Sequence, residues 1–443
     1  MPTQSKKLEK GIPVRYLLVV WLGVLSAVAF LDRTNISVAG IQIGQEFAIS
    51  NTRLGWVFSA FLIGYASLQI PAGLMVRRFG PRRVLTIGGL WWGAFTALTA
   101  LVPPGIASAV VLLILVRFAL GAGEATMYPA GSQFVERWFP VKERGKANGI
   151  IFAGVGLGSG LTPVLVSAII RHYGWRASFW FSALIGVVAG LVWYLAARDT
   201  PEQHTWVGDA ERELIVNQRS ISEAAAVAED SSRYGKRAVP WAKILRNKSV
   251  YALTISYFAF VYVAWMFFAW MYIYMAQVRG VNLKTSAVYS SYPFIAMTIG
   301  CLLGGVVSDR IAARFGLRMG RCLLPGMALV LTAVLLLLGS RAHEAQTAAL
   351  VLAGGAGALY LAQSAFWAVS ADIAGEFTGV VSGMMNMGGQ IGGACTASLT
   401  PLIAAHFGWD MSFVAGAVLV VVGGLAWLVI DPTQPLVLVP VDA

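Results

Sequence analysis

Four ionisable residues lie inside long apolar stretches of this sequence, and they define the chemistry that it could perform. They are Asp32, Arg33, Arg117 and Glu124. A guanidinium group binds carboxylates bidentately and keeps its charge, whereas a carboxyl group beside it can take up and release a proton. A charge facing lipid at mid-membrane costs about 3 kcal/mol, so these side chains must face protein or a water-filled cavity. They predict an anion site with an adjoining proton site; structural salt bridges between helices are the alternative.

The spacing of these residues predicts how they are presented. Arg117 and Glu124 are seven residues apart, which places them on one helix face about 10 Å apart along the axis. Asp32 and Arg33 are consecutive, so their side chains leave a helix about 100° apart and at most one faces a cavity squarely. The other member of that pair is expected to be a gate or packing partner.

Three uncharged polar residues in apolar stretches are further candidates. Tyr65 and Gln69 are four residues apart and share a helix face, and Asn386 opens a glycine-rich stretch. Each could donate hydrogen bonds to substrate hydroxyls, and an interhelical hydrogen bond is the alternative for each.

The composition identifies the solvent of these stretches as lipid. The 443 residues are 57% hydrophobic and 12% charged, with a mean hydropathy of +0.70, against roughly 25% charged residues in soluble domains.

The three cysteines are scattered through apolar stretches, so neither a disulfide framework nor a metal site is predicted. No HExxH, GxSxG or CxxC pattern occurs, so we expect no catalytic residues and no enzyme.

Twelve segments are long and apolar enough to cross a membrane, given that about 20 residues are needed. The first contains Asp32 and Arg33 and lacks a cleavage site, so it is not a removable signal. The predicted spans are 15–39, 54–76, 84–102, 107–131, 147–170, 177–197, 249–277, 286–307, 321–340, 347–371, 380–404 and 411–431.

The basic residues predict the orientation. Of the 33 lysines and arginines, 25 fall on the side of the N-terminus and the central loop, six on the other side and two within spans. The positive-inside rule then places both termini and the central loop in the cytoplasm. The net charge of +12 is thus explained by topology, and nucleic acid is not an expected partner.

An internal repeat predicts the architecture. Shifting the sequence by 234 residues aligns 121–179 with 355–413 without a gap, and 16 of the 59 positions are identical. Six spans separate the copies, so both halves run in the same direction, as in the major facilitator superfamily. We predict an all-α integral membrane protein of twelve transmembrane helices in two parallel six-helix repeats, divided into bundles at 1–197 and 249–443 by a cytoplasmic loop at 198–248.

Longer motifs resemble one branch of that superfamily, the anion:cation symporter family. The resemblance rests on Phe30–Ser37, Gly55–Phe61, the segment from Tyr65 to Gly73, and Arg117–Glu124, and it continues to Ser382–Asn386. The family includes bacterial proton symporters for galactonate, hexuronates and glucarate. The resemblance implies that Arg33, Tyr65, Arg117 and Asn386 contact the substrate, that Asp32 and Glu124 carry protons, and that the proton is the coupling ion with no cofactor.

The loop between the second and third spans departs from the superfamily pattern Gly-x-x-x-Asp-Arg. Here it has Arg77 before Arg78, whereas the C-terminal copy keeps Asp309 and Arg310. We expect these four residues to form the cytoplasmic gating latch, altered in the N-terminal half.

The sequence therefore predicts a proton-coupled importer of an organic carboxylate, in particular a sugar acid such as an aldonate or hexuronate, in the bacterial inner membrane. A monomer suffices for this architecture. Two rivals are a proton-driven exporter of apolar or cationic compounds, which two cavity arginines disfavour, and a non-transporting membrane sensor on a transporter scaffold.

Overall fold

The computed structural model describes residues 12–139, 143–215, 241–316, 318–374 and 378–434, and the regular structure within these ranges is helical. The helices of the first half are α1 (Val14–Glu46), α2 (Asn51–Phe79), α3 (Pro81–Leu101), α4 (Ala109–Glu124), α5 (Met127–Trp138) and α6 (Arg144–Ala196). A 3₁₀ turn at Pro201–Gln203 and a short helix at residues 209–215, α7, follow α6. Of the predicted central loop, residues 216–240 lie outside the described residues.

The second half repeats this series of helices. Its helices are α8 (Trp241–Ile244), α9 (Lys248–Ile273), α10 (Leu283–Phe315), α11 (Leu324–Arg341), α12 (Ala345–Leu361), α13 (Gln363–Ala374), α14 (Thr378–Phe407) and α15 (Trp409–Ala426). Single π-helical turns extend α9 at Tyr274–Val278 and precede α11 at Met319–Leu323.

The prediction of twelve membrane-spanning helices is confirmed. Ten helical stretches of the described residues are long and apolar enough to cross a membrane. One of them, Ala147–Ala196, is two spans, because Gly174 has φ 77° and turns the chain within α6. The 30-residue α14 supplies the remaining span.

The fourth and tenth spans differ from the continuous helices predicted for them. The fourth is interrupted between α4 and α5, directly after Glu124, and the tenth between α12 and α13, at Ala362. At the first break the N–H groups of Ala125 and Thr126 still donate to the carbonyls of Gly121 and Gly123, so the break is a tightened turn within one span. The interruption therefore lies beside one of the four ionisable residues.

Close backbone contact holds each bundle together. A Cβ atom added at Gly158 on α6 would collide with the Ala27 carbonyl of α1, and one added at Gly392 on α14 would collide with the Phe258 carbonyl of α9. These glycines are aligned in the internal repeat, so both halves use the same small-residue crossing. Gly158 belongs to the glycine-rich segment 154–160 of the fifth span, and this segment therefore serves helix packing.

The two halves meet along α2 with α14, α6 with α10, and α1 with α9. Their hydrogen bonds cluster towards the face opposite the N-terminus. There Ser59 Oγ donates to the Ala394 carbonyl at 2.6 Å, Ser37 Oγ donates to the Ala269 carbonyl at 2.5 Å, and Asn51 contacts Gln277 at 3.0 Å. The structure is therefore closed at this face, which the charge distribution predicts to be the outer one.

Aromatic side chains of α9 complete this closure. The sequence places Trp265, Phe268, Trp270, Tyr272 and Tyr274 along the seventh span, and all five are buried. Phe268 contacts Phe30 of α1 with ring centroids 5.5 Å apart, and Trp270 contacts Phe58 of α2 at 5.2 Å. These aromatic side chains therefore pack in the interface between the two halves.

Candidate substrate and proton site

The four ionisable residues of the spans come together inside the N-terminal bundle. Asp32 and Arg33 lie on α1, and Arg117 and Glu124 lie on α4. Each side chain is almost completely buried, with no residue more than 5% exposed. Helices α1 and α4, whose arginines are 84 residues apart in sequence, thus place two positive and two negative groups in one low-dielectric region, where charges interact strongly.

Arg33 and Glu124 form the ion pair at the centre of this cluster. Arg33 Nε donates to Glu124 Oε2 at 2.7 Å, the distance of a charge-assisted hydrogen bond. The second carboxylate oxygen, Oε1, has no hydrogen-bond partner. Protonation of Glu124 would remove the negative charge that holds Arg33. The Arg33 guanidinium could then bind another anion.

The rest of the cluster is unpaired, as the structure describes it. Both carboxylate oxygens of Asp32, Nε and Nη1 of Arg117, and Nη2 of Arg33 are buried without a hydrogen-bond partner. Asp32 lies beside Thr96 of α3, although their oxygens do not meet the geometry of a hydrogen bond. Leaving a buried polar group unpaired costs about 1–3 kcal/mol. A polar ligand that formed hydrogen bonds with these groups would remove this cost, and its binding would be stabilised.

Aromatic rings fix the two guanidinium groups. The Arg33 guanidinium carbon lies 4.6 Å from the Phe30 ring centroid, 4.7 Å from that of Tyr65 and 5.4 Å from that of Phe61. Phe61 also contacts the Arg117 guanidinium, at 4.9 Å. The Phe61 ring thus touches both cations, and such contacts are strongest where water is excluded.

The uncharged candidates are distributed over both halves. Tyr65 on α2 is buried against Arg33. The Oε1 atom of Gln69, one turn further along α2, is buried without a partner. Asn386 lies on α14 in the other half, where its Oδ1 accepts from Gln390 Nε2 at 3.5 Å. The structure therefore brings Tyr65 into the charged cluster, whereas Asn386 belongs to the opposite bundle.

The structure describes the side chains of two of the four residues of the predicted cytoplasmic latch. The side chains of Arg77 and Asp309 lie outside the described residues. Arg78 is exposed beside the Phe79 ring, at 5.2 Å, and Arg310 is exposed at the end of α10. The latch stays a prediction.

Sequence reasoning missed three contributors to the site. Phe30 and Phe61 contact the arginines, and Tyr128 on α5 lies within electrostatic range of Arg33 and Glu124, with its hydroxyl 3.3 Å from Ser26 Oγ. Tyr128 follows Glu124 by four residues within the predicted span 107–131, so the helix-face rule used for Tyr65 and Gln69 is the signal that could have found it.

A family model matches most of the sequence. Residues 22–395 match the Major Facilitator Superfamily, so the chain belongs to this superfamily of membrane transporters. The relatives support the assignment to its anion symporters. The chain is 32% identical over 427 residues to the probable sulfoacetate transporter SauU of Cupriavidus necator, covering 96% of both proteins. It is 27% identical to the hexuronate transporter of Bacillus subtilis, covering 92% of this chain and 91% of that protein.

A third relative and a solved structure agree with this result. The probable L-galactonate transporter of Escherichia coli is 25% identical over 90% of this chain and 84% of its own length. Among solved structures, a bacterial homologue of the human lysosomal transporter Spinster, in an inward-facing and unoccupied conformation, superimposes with a TM-score of 0.74. At 17% identity, over 94% of this chain and 97% of that one, this likeness concerns the fold.

Proposed function

We propose that the protein is a proton-coupled symporter that imports a small organic carboxylate by alternating access. The observation that carries the proposal is the buried Arg33–Glu124 ion pair beside the unpaired Arg117 and Asp32. Arg117 is the guanidinium that is ready to accept an anion, because two of its nitrogens lack partners. Arg33 has one unpaired nitrogen, Nη2, and its Nε becomes available when Glu124 is protonated.

Charge balance explains why proton and anion would move together. With both carboxyl groups ionised the cluster is neutral, and with both protonated it carries two positive charges. An anion binding to the protonated cluster cancels charge in a low-dielectric site, whereas an anion binding to the neutral cluster adds an uncompensated one. Substrate and proton therefore stabilise each other, which is the requirement for symport.

Two substrate classes fit the site. A sugar acid, as predicted from the sequence, would place its carboxylate on Arg117 and its hydroxyls near Tyr65, Gln69 and Asn386. A short carboxylate that also carries a sulfonate would use both arginines for its two acidic groups. The second class is favoured by the match to the sulfoacetate transporter over nearly the whole chain.

Thermal-shift measurements on the purified protein would separate these classes, because a ligand selective for the folded state raises the melting temperature. The panel contains aldonates, hexuronates, sulfoacetate, aromatic acids and hydrophobic cations. We expect stabilisation by one carboxylate class and loss of that stabilisation in Arg117→Ala. Stabilisation by cations alone would overturn the proposal and favour an exporter.

Transport by reconstituted protein tests the coupling role of Glu124. Glu124→Gln removes the titratable group and keeps a hydrogen-bond acceptor for Arg33, so we expect proton-driven accumulation to be lost while exchange of substrate across the membrane persists. Exchange is the internal control for folding. Accumulation at the wild-type level by Glu124→Gln would remove this residue from the coupling mechanism.

A further inference from the structure

The chain that follows α6 folds back onto the N-terminal bundle as a strap, residues 198–215. Its most buried ionisable side chain is His204, which is 4% exposed. His204 Nδ1 accepts the backbone N–H of Trp206 at 3.1 Å, and His204 Nε2 lies 2.8 Å from the Ala196 carbonyl. Both hydrogen bonds are satisfied together only by a neutral ring that carries its proton on Nε2.

His204 lies where the strap meets the end of the fourth span. The Trp138 ring packs edge-on against His204 with centroids 5.6 Å apart, and Trp138 Nε1 donates to the Arg198 carbonyl at 3.1 Å. Trp138 ends α5, which continues the span that carries Arg117 and Glu124. The strap therefore contacts the end of the fourth span, which carries two of the four residues of the charged cluster.

A second contact ties the strap to α1. Glu211 accepts the backbone N–H groups of Val14 and Arg15 at 3.0 and 3.2 Å, and it pairs with the Arg15 guanidinium at 3.0 Å. Arg15 also pairs with Glu143 at 3.1 Å, just before α6 begins. The strap thus joins the terminus-side ends of α1, α5 and α6, which must move as one body in a rocking transporter.

We propose that His204 is a pH-sensitive clasp: acidification at the strap side protonates Nδ1, which breaks the bond to Trp206 and releases the strap from the N-terminal bundle. Protonation would set an imidazolium N–H against the Trp206 N–H, because Nδ1 changes from acceptor to donor. Release removes the contacts that the strap makes with the ends of α1, α5 and α6, which loosens these ends and slows transport. This role rests on the proposed function: in a protein that imports protons with its substrate, the clasp would limit proton uptake in acid.

The charged surroundings of His204 set the direction of the response. Burial is the largest influence on His204 and lowers its pKa below the ordinary value of 6.5. The positive charge of Arg198 also lowers this pKa, whereas the hydrogen bond to Ala196 and the negative charge of Glu211 raise it. Because this pKa is lowered, the neutral ring stabilises the strap on the N-terminal bundle above about pH 6.5. This stabilisation is lost as the pH falls through the pKa that His204 has in the folded protein. The strap is therefore closed in neutral solution and opens in acid.

Substrate exchange in proteoliposomes tests the effect on transport without a proton gradient. Both sides are held at the same pH, which is varied from about 7.5 to about 5.5, the range in which histidine titrates. We expect wild-type exchange to fall by up to about tenfold per pH unit in the acid range, and His204→Gln to fall less. Glutamine can donate to Ala196 and accept from Trp206 at any pH. His406→Gln, an exposed histidine near the opposite face, is the matched control and should follow the wild type.

Thiol labelling reports on the strap itself and does not depend on transport. Val207 is 4% exposed whereas Thr205 is exposed, so cysteines at these positions distinguish an open strap from a closed one in a background without the three native cysteines. We expect the labelling rate of Val207→Cys relative to Thr205→Cys to rise on acidification, and to stay constant with His204→Gln.

The two measurements separate failure of the clasp from failure of the proposed function. A labelling ratio that does not change with pH in protein with native His204 would overturn the clasp. An identical acid response of exchange in wild type and His204→Gln would also overturn it. A labelling ratio that rises while no carboxylate is exchanged would support the clasp and reject the proposed function.

Discussion

The two halves of the molecule share a backbone plan but not a chemistry. At the 234-residue offset of the repeat, Gly158 aligns with Gly392, and each allows a helix crossing that a side chain would block. In the same alignment Glu124 corresponds to Ala358, and Tyr128 corresponds to Ala362. The repeat therefore preserves the residues that set helix packing, whereas the ionisable residues are present in one copy. Packing is a requirement of both bundles, and a charged site is needed only once.

This difference suggests separate tasks for the halves. The N-terminal half holds the buried charged cluster, to which the proposed function assigns the proton and the anion. The C-terminal half offers neutral partners such as Asn386 and Gln390, and its α9 presents buried rings to the other half. Under the proposed function, the N-terminal half would bind the proton and the anion and the C-terminal half would close over them.

The largest effect should follow from removing charge from the N-terminal half. Arg117→Ala deletes the unpaired guanidinium and leaves Asp32 and Glu124 with one cation fewer, so we expect substrate affinity to fall by about 100-fold or more. Isothermal titration with the best carboxylate of the thermal-shift panel would measure it. Arg117→Lys is the matched variant and should recover part of the affinity, since a lysine keeps the charge but not the bidentate fork. Undiminished affinity in Arg117→Ala would mean that the cluster is structural.

Changes in the packing glycines should affect the two halves equally. Gly158→Ala and Gly392→Ala each force a methyl group against a carbonyl of a neighbouring helix, so we expect each to lower the free energy of unfolding by about 1–3 kcal/mol. The aligned glycines Gly149 and Gly383 provide controls, because a Cβ atom there meets nothing within 4 Å. Thermal unfolding in detergent would measure all four. A loss confined to one half would show that the shared crossings are not equivalent.

Much of this arrangement could be predicted from the sequence, and the exceptions have physical reasons. Hydropathy and the repeat gave the twelve spans, because lipid requires about 20 apolar residues whatever the tertiary structure. The interruption after Glu124 was not predicted, although the sequence carries a signal for it: Pro129 has no N–H to donate to the carbonyl of Ala125, which disfavours a continuous helix there. The pairing of Arg33 with Glu124 rather than Arg117 with Glu124 depends on how α1 crosses α4, and spacing within one helix says nothing about its neighbour.

The closed face between the halves should yield a smaller effect. Ser59 Oγ donates to the Ala394 carbonyl and lies 2.7 Å from Ser398 Oγ, so Ser59→Ala removes a bond that exists only while the halves meet there. We expect the closed population to fall about fivefold relative to the open one, corresponding to about 1 kcal/mol. Distances between spin labels on the two halves would report this shift. Ser67→Ala, which removes a bond to Gly64 within the same helix, should leave the distances unchanged.

The smallest effect should come from the neutral side of the site. Asn386→Ala removes one amide from the C-terminal half and no charge, so we expect substrate affinity to fall about threefold, which is in the lower range for one neutral hydrogen bond. Proton-driven accumulation should persist at saturating substrate, because Asp32 and Glu124 are untouched. Uptake measured over a range of substrate concentrations and pH gradients would separate these two quantities. If Asn386→Ala instead abolished accumulation while leaving affinity intact, coupling would extend into the C-terminal half, and the division of tasks between a charged bundle and a neutral one would be wrong.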